Sequence, residues 1–340
     1  MENEVLLTQG EEEINPLTHI NIGVSLAKEE AYDEAEKEFR RAIRINPELV
    51  IAHYNYGIIL GKMNRLIEAE NTYKKAIELA PKLGLAQNNL GIILIKLGKY
   101  AEAENEFGDA IKKLPQSSPS LAIAHLNLGK LLADLKRYHE AEFEYLEAKR
   151  LNPNLKEAYI NLGNLYLELE SYEKAKKEYK QALEIDFQMS NVHNNLGITL
   201  VKLKMIDEAK AKFEQAINLD HAYARAYHNL KELEKVAEIL KPKTTPWTTY
   251  LVIGITAVVL LEIFILFVFN KISGVGFMST IPLLAMLVFF ILFSEAKRKE
   301  ITLPELDLEI DPKNQIIETE LLTSDFAPEA LINNHANTKE

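Results

Sequence analysis

Between Pro16 and Tyr223 the apolar residues recur at helical spacing in paired stretches, each pair closed by a turn-forming break. In one pair, Val50–Met63 and Leu66–Leu79 read as two amphipathic helices, and Pro81 ends the second by removing an N–H and biasing Ala80 away from helix. The pair is repeated. Gly23, Gly57, Gly91, Gly129, Gly163 and Gly197 follow one another at steps of 34, 34, 38, 34 and 34 residues. Twelve residues after each comes Ala35, Ala69, Ala103, Ala141, Ala175 or Ala209. Four further on stands an aromatic: Phe39, Tyr73, Phe107, Tyr145, Tyr179 or Phe213. Three beyond it comes Ala42, Ala76, Ala110, Ala148, Ala182 or Ala216. The pattern predicts an all-α chain of six helix–turn–helix units, at 16–49, 50–83, 84–117, 122–155, 156–189 and 190–223. A capping helix over 222–240 follows, with Lys231 where the next Gly would stand. Beyond it the pattern changes to two uninterrupted apolar runs, 247–269 and 275–294.

The small residues belong where two helices cross closely, and the aromatic fills the space between them. Pro47, Pro81, Pro115 and Pro153 close the first, second, third and fourth units. Phe187 and His221 replace that proline in the fifth and sixth, which predicts less sharply fixed turns there. The extra residues of the 38-residue step fall at Gln116–Ser120 and predict a longer loop with a local bend. This L-G…A-x3-F…P pattern resembles the tetratricopeptide repeat (TPR), which implies an α-solenoid acting as a protein-binding scaffold. One unit cannot bury its apolar face alone, so stability comes from stacking neighbours.

A second face of each unit's first helix carries the candidate binding residues. Two before each Gly, and at the matching place in the cap, the residue is always Asn: Asn21, Asn55, Asn89, Asn127, Asn161, Asn195 and Asn229. Each offers a donor and an acceptor, so the series can hydrogen-bond an extended peptide backbone without demanding particular side chains. The resemblance places this face on the concave groove, and the ladder is similar to that of the repeat region of protein O-GlcNAc transferases. One residue after Gly, Ile58 and Ile92 add apolar contact; five after it, Lys28, Lys62 and Lys96 add positive charge toward the first three repeats. Those Lys also fit a solvated rim. The carboxylate clamp of chaperone-binding repeats is missing, since the positions three before and one after Gly hold Ile20, Tyr54 and Asn88, then Val24, Ile58 and Ile92.

The two apolar runs are each close to the roughly 20 residues that cross about 30 Å of hydrocarbon, and predict a transmembrane helical hairpin. Lys241 and Lys243 precede it, Lys297, Arg298 and Lys299 follow it, and only Lys271 lies in the loop. That asymmetry places both termini and the array on the cytoplasmic side of a cell membrane crossed twice. Glu262 is the one charge within the first run; Ser279 and Thr280 are positioned to lie level with it and bond it, within the hairpin or between copies in a homo-oligomer.

Net charge is −11, but residues 1–15 carry five Glu and 301–340 a net −7, so the acidity sits at the two ends. No basic stripe is available for phosphates, which sets nucleic acid aside as a partner. There is no Cys. His19, His53, His125 and His193 share one repeat position, four before Gly, and read as packing residues, too far apart to share a metal. No phosphate loop, nucleophile elbow or metal-ligand cluster appears, so no catalytic residue, cofactor, metal or small-molecule substrate is expected. The expected partner is a protein or extended peptide, bound by a membrane-anchored scaffold. The alternative is an oligomeric transport or channel subunit built on the Glu262 hairpin. The tail from Ile301 alternates acid and aliphatic residues through Glu305–Asp311, and its charge suits the Lys-lined part of the groove in its own chain.

Overall fold

The computed structural model describes residues 15–240, 306–311, and positions 261, 262, 264, 265 and 268. Thirteen helices are named here in chain order. Repeat 1 is α1 (Pro16–Lys28) and α2 (Tyr32–Ile45), repeat 2 is α3 (Val50–Lys62) and α4 (Leu66–Leu79), and repeat 3 is α5 (Gly84–Lys96) and α6 (Tyr100–Lys113). Repeat 4 is α7 (Pro119–Asp134) and α8 (Tyr138–Leu151), repeat 5 is α9 (Lys156–Glu168) and α10 (Tyr172–Ile185), and repeat 6 is α11 (Ser190–Lys202) and α12 (Ile206–Leu219). A last helix, α13 (Ala224–Leu240), packs on α12. No strand occurs among the described residues.

The repeated Gly has a single steric reason. A Cβ on Gly57 would stand 2.8 Å from the Tyr73 ring, and on Gly163 2.5 Å from the Tyr179 ring; the other four repeats show the same approach. Phe39, Phe107, Tyr145, Tyr179 and Phe213 are completely buried in that crossing. From repeat 2 onward the first helix is buried around most of its girth, whereas the second buries little more than its Ala and aromatic stripe. First helices of successive repeats also touch one another, so they line the inner surface of the curved stack.

Both turn types are locally encoded. The first helix of each repeat ends on a left-handed residue seven after Gly: Glu30, Asn64, Gly98, Lys136, Glu170 and Lys204, with φ between 55° and 75°. The next N–H closes back onto the helix, as from Ala31 to the Leu26 carbonyl and from Met205 to that of Leu200, both 2.9 Å. Only Gly98 and Asn64 advertise this conformation in the sequence. The turn between repeats is fixed by an Asx bond: Asn46, Asn152, Asp186 and Asp220 each accept from the N–H two residues on, at 2.9–3.1 Å. This corrects the expectation for Phe187 and His221. Those turns keep the four-residue length of the proline-containing ones, because Asp186 and Asp220 hold them instead.

The 38-residue step is also resolved differently. The connection 114–118 is only one residue longer than its counterparts, and α7 takes up the remainder with 16 residues against the usual 13. Pro119 sits in its first turn, where a missing N–H costs nothing.

Candidate functional site: an asparagine-floored groove

Six of the seven ladder residues lie on the buried floor of the inner surface: Asn55, Asn89, Asn127, Asn161, Asn195 and Asn229 are all at most 3% exposed. Asn21, in the terminal repeat, is exposed instead, because no preceding repeat covers it. The preceding repeat also aims four of these amides. Asn89 Nδ2 donates to Tyr54 Oη at 3.4 Å, Asn127 Nδ2 to Asn88 Oδ1 at 3.1 Å, and Asn229 Nδ2 to Asn194 Oδ1 at 2.8 Å. Asn195 Nδ2 donates to Asn164 Oδ1 at 3.1 Å, which Tyr179 in turn holds at 2.6 Å. Such a bond uses one of the two amide hydrogens and leaves the other hydrogen and the oxygen for a ligand.

At the end of the stack a ligand is present. Residues Leu306–Asp311 of the same chain lie along the floor of repeat 6 and the cap. Asn229 takes both backbone groups of Glu309: its Oδ1 accepts from the Glu309 N–H at 2.7 Å and its Nδ2 donates to the Glu309 carbonyl at 3.0 Å. Asn195 does the same for Asp311, at 3.0 Å each way. Asn194 adds a 3.2 Å bond to the Glu309 carbonyl, and His228 Nε2 donates to that of Asp307 at 2.9 Å. Successive ladder residues therefore read every second residue of the segment, the period at which an extended chain turns its backbone groups to the same side. Upstream, Leu308 N–H bonds the Leu306 carbonyl at 3.1 Å in a three-residue turn, and both Leu side chains pack on the core of the array.

Side chains of the segment are read at one place above all. Asp311 is 5% exposed; Tyr223 Oη donates to its Oδ2 at 2.9 Å and Arg225 Nη1 stands 3.6 Å away. Burial, reinforced by this carboxylate, pushes the Tyr223 hydroxyl well above its ordinary pKa, so it stays a donor at all physiological pH. Glu309 and Asp307 lie at the exposed rim, 4.0 Å from Arg225 and 3.9 Å from His228 respectively.

For residues 306–311, the expectation that the tail would meet Lys28, Lys62 and Lys96 is thus corrected in position. The described segment sits on repeat 6 and the cap, where Asn195, Asn229, Tyr223 and Arg225 give backbone and carboxylate bonds that exposed Lys side chains at the rim do not. Near those Lys, Ile58 and Ile92 are buried and line a shallow depression with Gly61, Tyr73, Asn89 and Ile93. In the middle of the array Lys130 is engaged by Asp134 on the same helix. Tyr223, Arg225, His228 and Asn194 were not flagged by the sequence reading. The signal was available for two of them: the position three before Gly, which in repeats 1–3 gave no clamp, is Asn194 in repeat 6 and His228 in the cap.

Asn161 stands apart. It is 1% exposed, and neither its Nδ2 nor its Oδ1 has a hydrogen-bond partner. The reason lies in repeat 4, which offers Leu126 and Lys130 at the two positions whose counterparts, Asn194 and Asn164, orient Asn229 and Asn195.

The four His are structural and fall into two kinds. His19 and His125 pair through Nδ1 with Glu38 and Glu144, each at 2.6 Å. His53 and His193 donate from Nε2 to the carbonyls of Pro47 and Phe187, and Tyr159 does the same to Pro153. No group of residues arranged to hold a metal occurs among the described residues. Glu262 is helical and exposed; Ser279 and Thr280 lie outside the described residues, as does most of both apolar runs. Among the described residues no helix is long and apolar enough to cross a membrane.

Models of the tetratricopeptide repeat match residues 18–49, 50–83, 156–189 and 190–223, and a second such model matches 88–156, together more than half of the chain. The chain belongs to the tetratricopeptide repeat family. Three solved structures share the fold of the TPR array. PilW, a type IV pilus biogenesis factor, is 17% identical, with a TM-score of 0.57 over 64% of this chain and 96% of its own. Pseudomonas aeruginosa PilF is 19% identical, with a TM-score of 0.56 over 63% and 95%. The Cut9–Hcn1 assembly of the APC/C is 18% identical, with a TM-score of 0.55 over 68% and 44%. No curated protein matches the chain. TPR arrays bind proteins or peptides on surfaces made by stacking repeats.

Proposed function

We propose that this protein is a membrane-tethered scaffold whose TPR groove holds an extended segment of a partner protein, for assembly or regulation of a complex. The observation that carries the reading is the pair of two-way bonds from Asn195 and Asn229 to the backbone of residues 309 and 311. A groove that already grips one extended chain by its main chain has the chemistry to grip another. That the same fold serves in the pilus biogenesis factor PilW and in the hetero-tetrameric Cut9–Hcn1 assembly is compatible with an assembly role.

The tether rests on the apolar runs at 247–269 and 275–294 and on the Lys and Arg flanking them. Leu261, Phe264, Ile265 and Val268, helical and 37–63% exposed, suit lipid better than water. In this reading the array hangs beneath the cytoplasmic face on the short linker 241–246. Nothing specific favours the channel reading beyond Glu262.

Partner capture on the full chain in detergent tests the groove, using wild type beside an Asn55→Ala, Asn89→Ala, Asn127→Ala variant of equal helicity. A partner held by the first and lost by the second supports groove recognition. A partner held equally by both moves recognition off the rungs of repeats 2–4, to the Asn161–Asn229 end of the groove or to the convex face. Membrane fractionation after alkaline carbonate extraction tests the tether: release of the chain with peripheral proteins would overturn it.

A further inference from the structure

The occupied end of the groove specifies its ligand more closely than a general peptide site does. Three observations bear on it. Backbone groups at 309 and 311 are matched in both directions by Asn229 and Asn195. Tyr223 and the half-buried Arg225 take one buried carboxylate, that of Asp311, while Leu306 and Leu308 cover apolar floor. Asn161, one repeat further along the same ladder and buried, has both polar atoms unmatched.

We propose that the groove from Asn161 to Asn229 is a site for an extended peptide of alternating aliphatic and acidic residues with one aspartate buried at the Asn195 rung, that residues 306–311 are its resident occupant, and that a partner displaces them by continuing the register past that aspartate onto Asn161. This rests on the groove being the partner-binding face. The register follows from the bonds present: residue 309 on Asn229 and residue 311 on Asn195 put the second residue beyond the aspartate on Asn161. The described segment stops at Asp311, on the Asn195 rung, and both polar atoms of Asn161 are unmatched. A partner whose residue at that place turns its N–H and carbonyl to Asn161 relieves a buried unsatisfied amide that the resident leaves. The segment is also the right kind of competitor. Carried by the same chain, it is present at high effective concentration, yet its contacts cover only part of the ladder.

The test uses the full chain and fluorescein-labelled synthetic peptides, read by anisotropy. One peptide is Pro304–Asp311; the other adds Leu-Ser-Leu after the aspartate. A variant with Leu306→Ala, Leu308→Ala and Asp311→Ala loosens the resident without touching the array. It is expected to bind Pro304–Asp311 about tenfold more tightly than wild type does, because the tethered competitor is gone. Equal affinity would remove the resident role. In that variant the longer peptide is expected to bind about tenfold better than the shorter one, the net value of two added hydrogen bonds. Adding Asn161→Ala should abolish this advantage, and an advantage that persists would overturn the assignment of Asn161. N-methylation at Glu309 together with Asp311 should eliminate binding, while N-methylation at Ile310 should not; equal damage from both would refute the register. Binding of neither peptide to any variant would sink the proposal outright. The broader groove reading would still be decided separately, by capture on the variant of Asn55, Asn89 and Asn127.

Discussion

The two ends of the groove share one scaffold and differ in what they offer. Repeats 1–3 pair an Asn floor with Ile58, Ile92 and a rim of exposed Lys28, Lys62 and Lys96. Repeat 6 and the cap pair the same floor with Tyr223, Arg225 and His228, and there the tail is bound. Long-range charge alone favours the three lysines for an acidic segment. The segment sits instead where its backbone is matched atom for atom and one carboxylate is desolvated against a hydroxyl and a guanidinium. Exposed ion pairs are worth little, whereas charge-assisted bonds in a covered site are stronger.

The largest effect that would break this contrast comes from truncating the occupied rungs. Asn195→Ala with Asn229→Ala removes four main-chain bonds, at about 0.5–1.5 kcal/mol net each, and should strip the amides of Glu309 and Asp311 of hydrogen-exchange protection. Asn55→Ala with Asn89→Ala should leave those amides protected; equal loss from both pairs would mean that the two ends are not distinct. Next in size, Gly163→Ala and Gly57→Ala each force a methyl into an aromatic ring. Each should cost about 1–2 kcal/mol in chemical denaturation, overpacking being partly offset by the better helix propensity of Ala. Similar losses at both positions would place the difference between the ends in the groove and not in the scaffold.

A smaller effect, of opposite sign, is expected in the turns. Glu30→Gly in repeat 1 and Lys204→Gly in repeat 6 relieve left-handed non-glycine residues and should each stabilise the array by up to about 1 kcal/mol, measured the same way. The smallest effect concerns pH. Burial holds His193 below its ordinary pKa of 6.5, while its Nε2 donates to the Phe187 carbonyl. The neutral ring is the folded form, so its contribution is complete above pH 6.5. It is lost as pH falls, because the unfolded chain takes up a proton that the folded one resists. His193→Phe should flatten the fall in melting temperature between pH 7 and 5. His53→Phe, at the same position of repeat 2 and likewise held low by burial, should flatten it in the same direction, and flattening at one position alone would separate the two ends.

Much of this architecture was legible in residue spacing because packing in a repeat array is periodic. Gly, aromatic and Ala recur where helices must cross, and the Asn series recurs where the inner surface must offer polar groups. What escaped the reading was set by local chemistry that several residue types can supply. Asp186 and Asp220 replace the effect of proline through a side-chain bond, and Lys136 or Glu170 adopts a conformation usually signalled by Gly. The insertion near Ser120 was absorbed by a helix because Pro119 can open one as readily as it can end one. The site of tail binding escaped for a different reason. Charge complementarity pointed to the most numerous cations, and a count of charges carries no information about which backbone groups are matched.

The ladder's period has a consequence for discrimination. Six buried asparagines advancing two peptide residues per rung amount to a ruler about eleven residues long. Each rung reports only whether a main-chain N–H is present, so it carries little information about residue identity. A proline on an odd mark is an error it detects; a leucine exchanged for a valine is not. Such an instrument measures the uninterrupted length of a strand-like segment, and leaves the reading of letters to the few side chains, Tyr223 and Arg225 foremost, placed at its end.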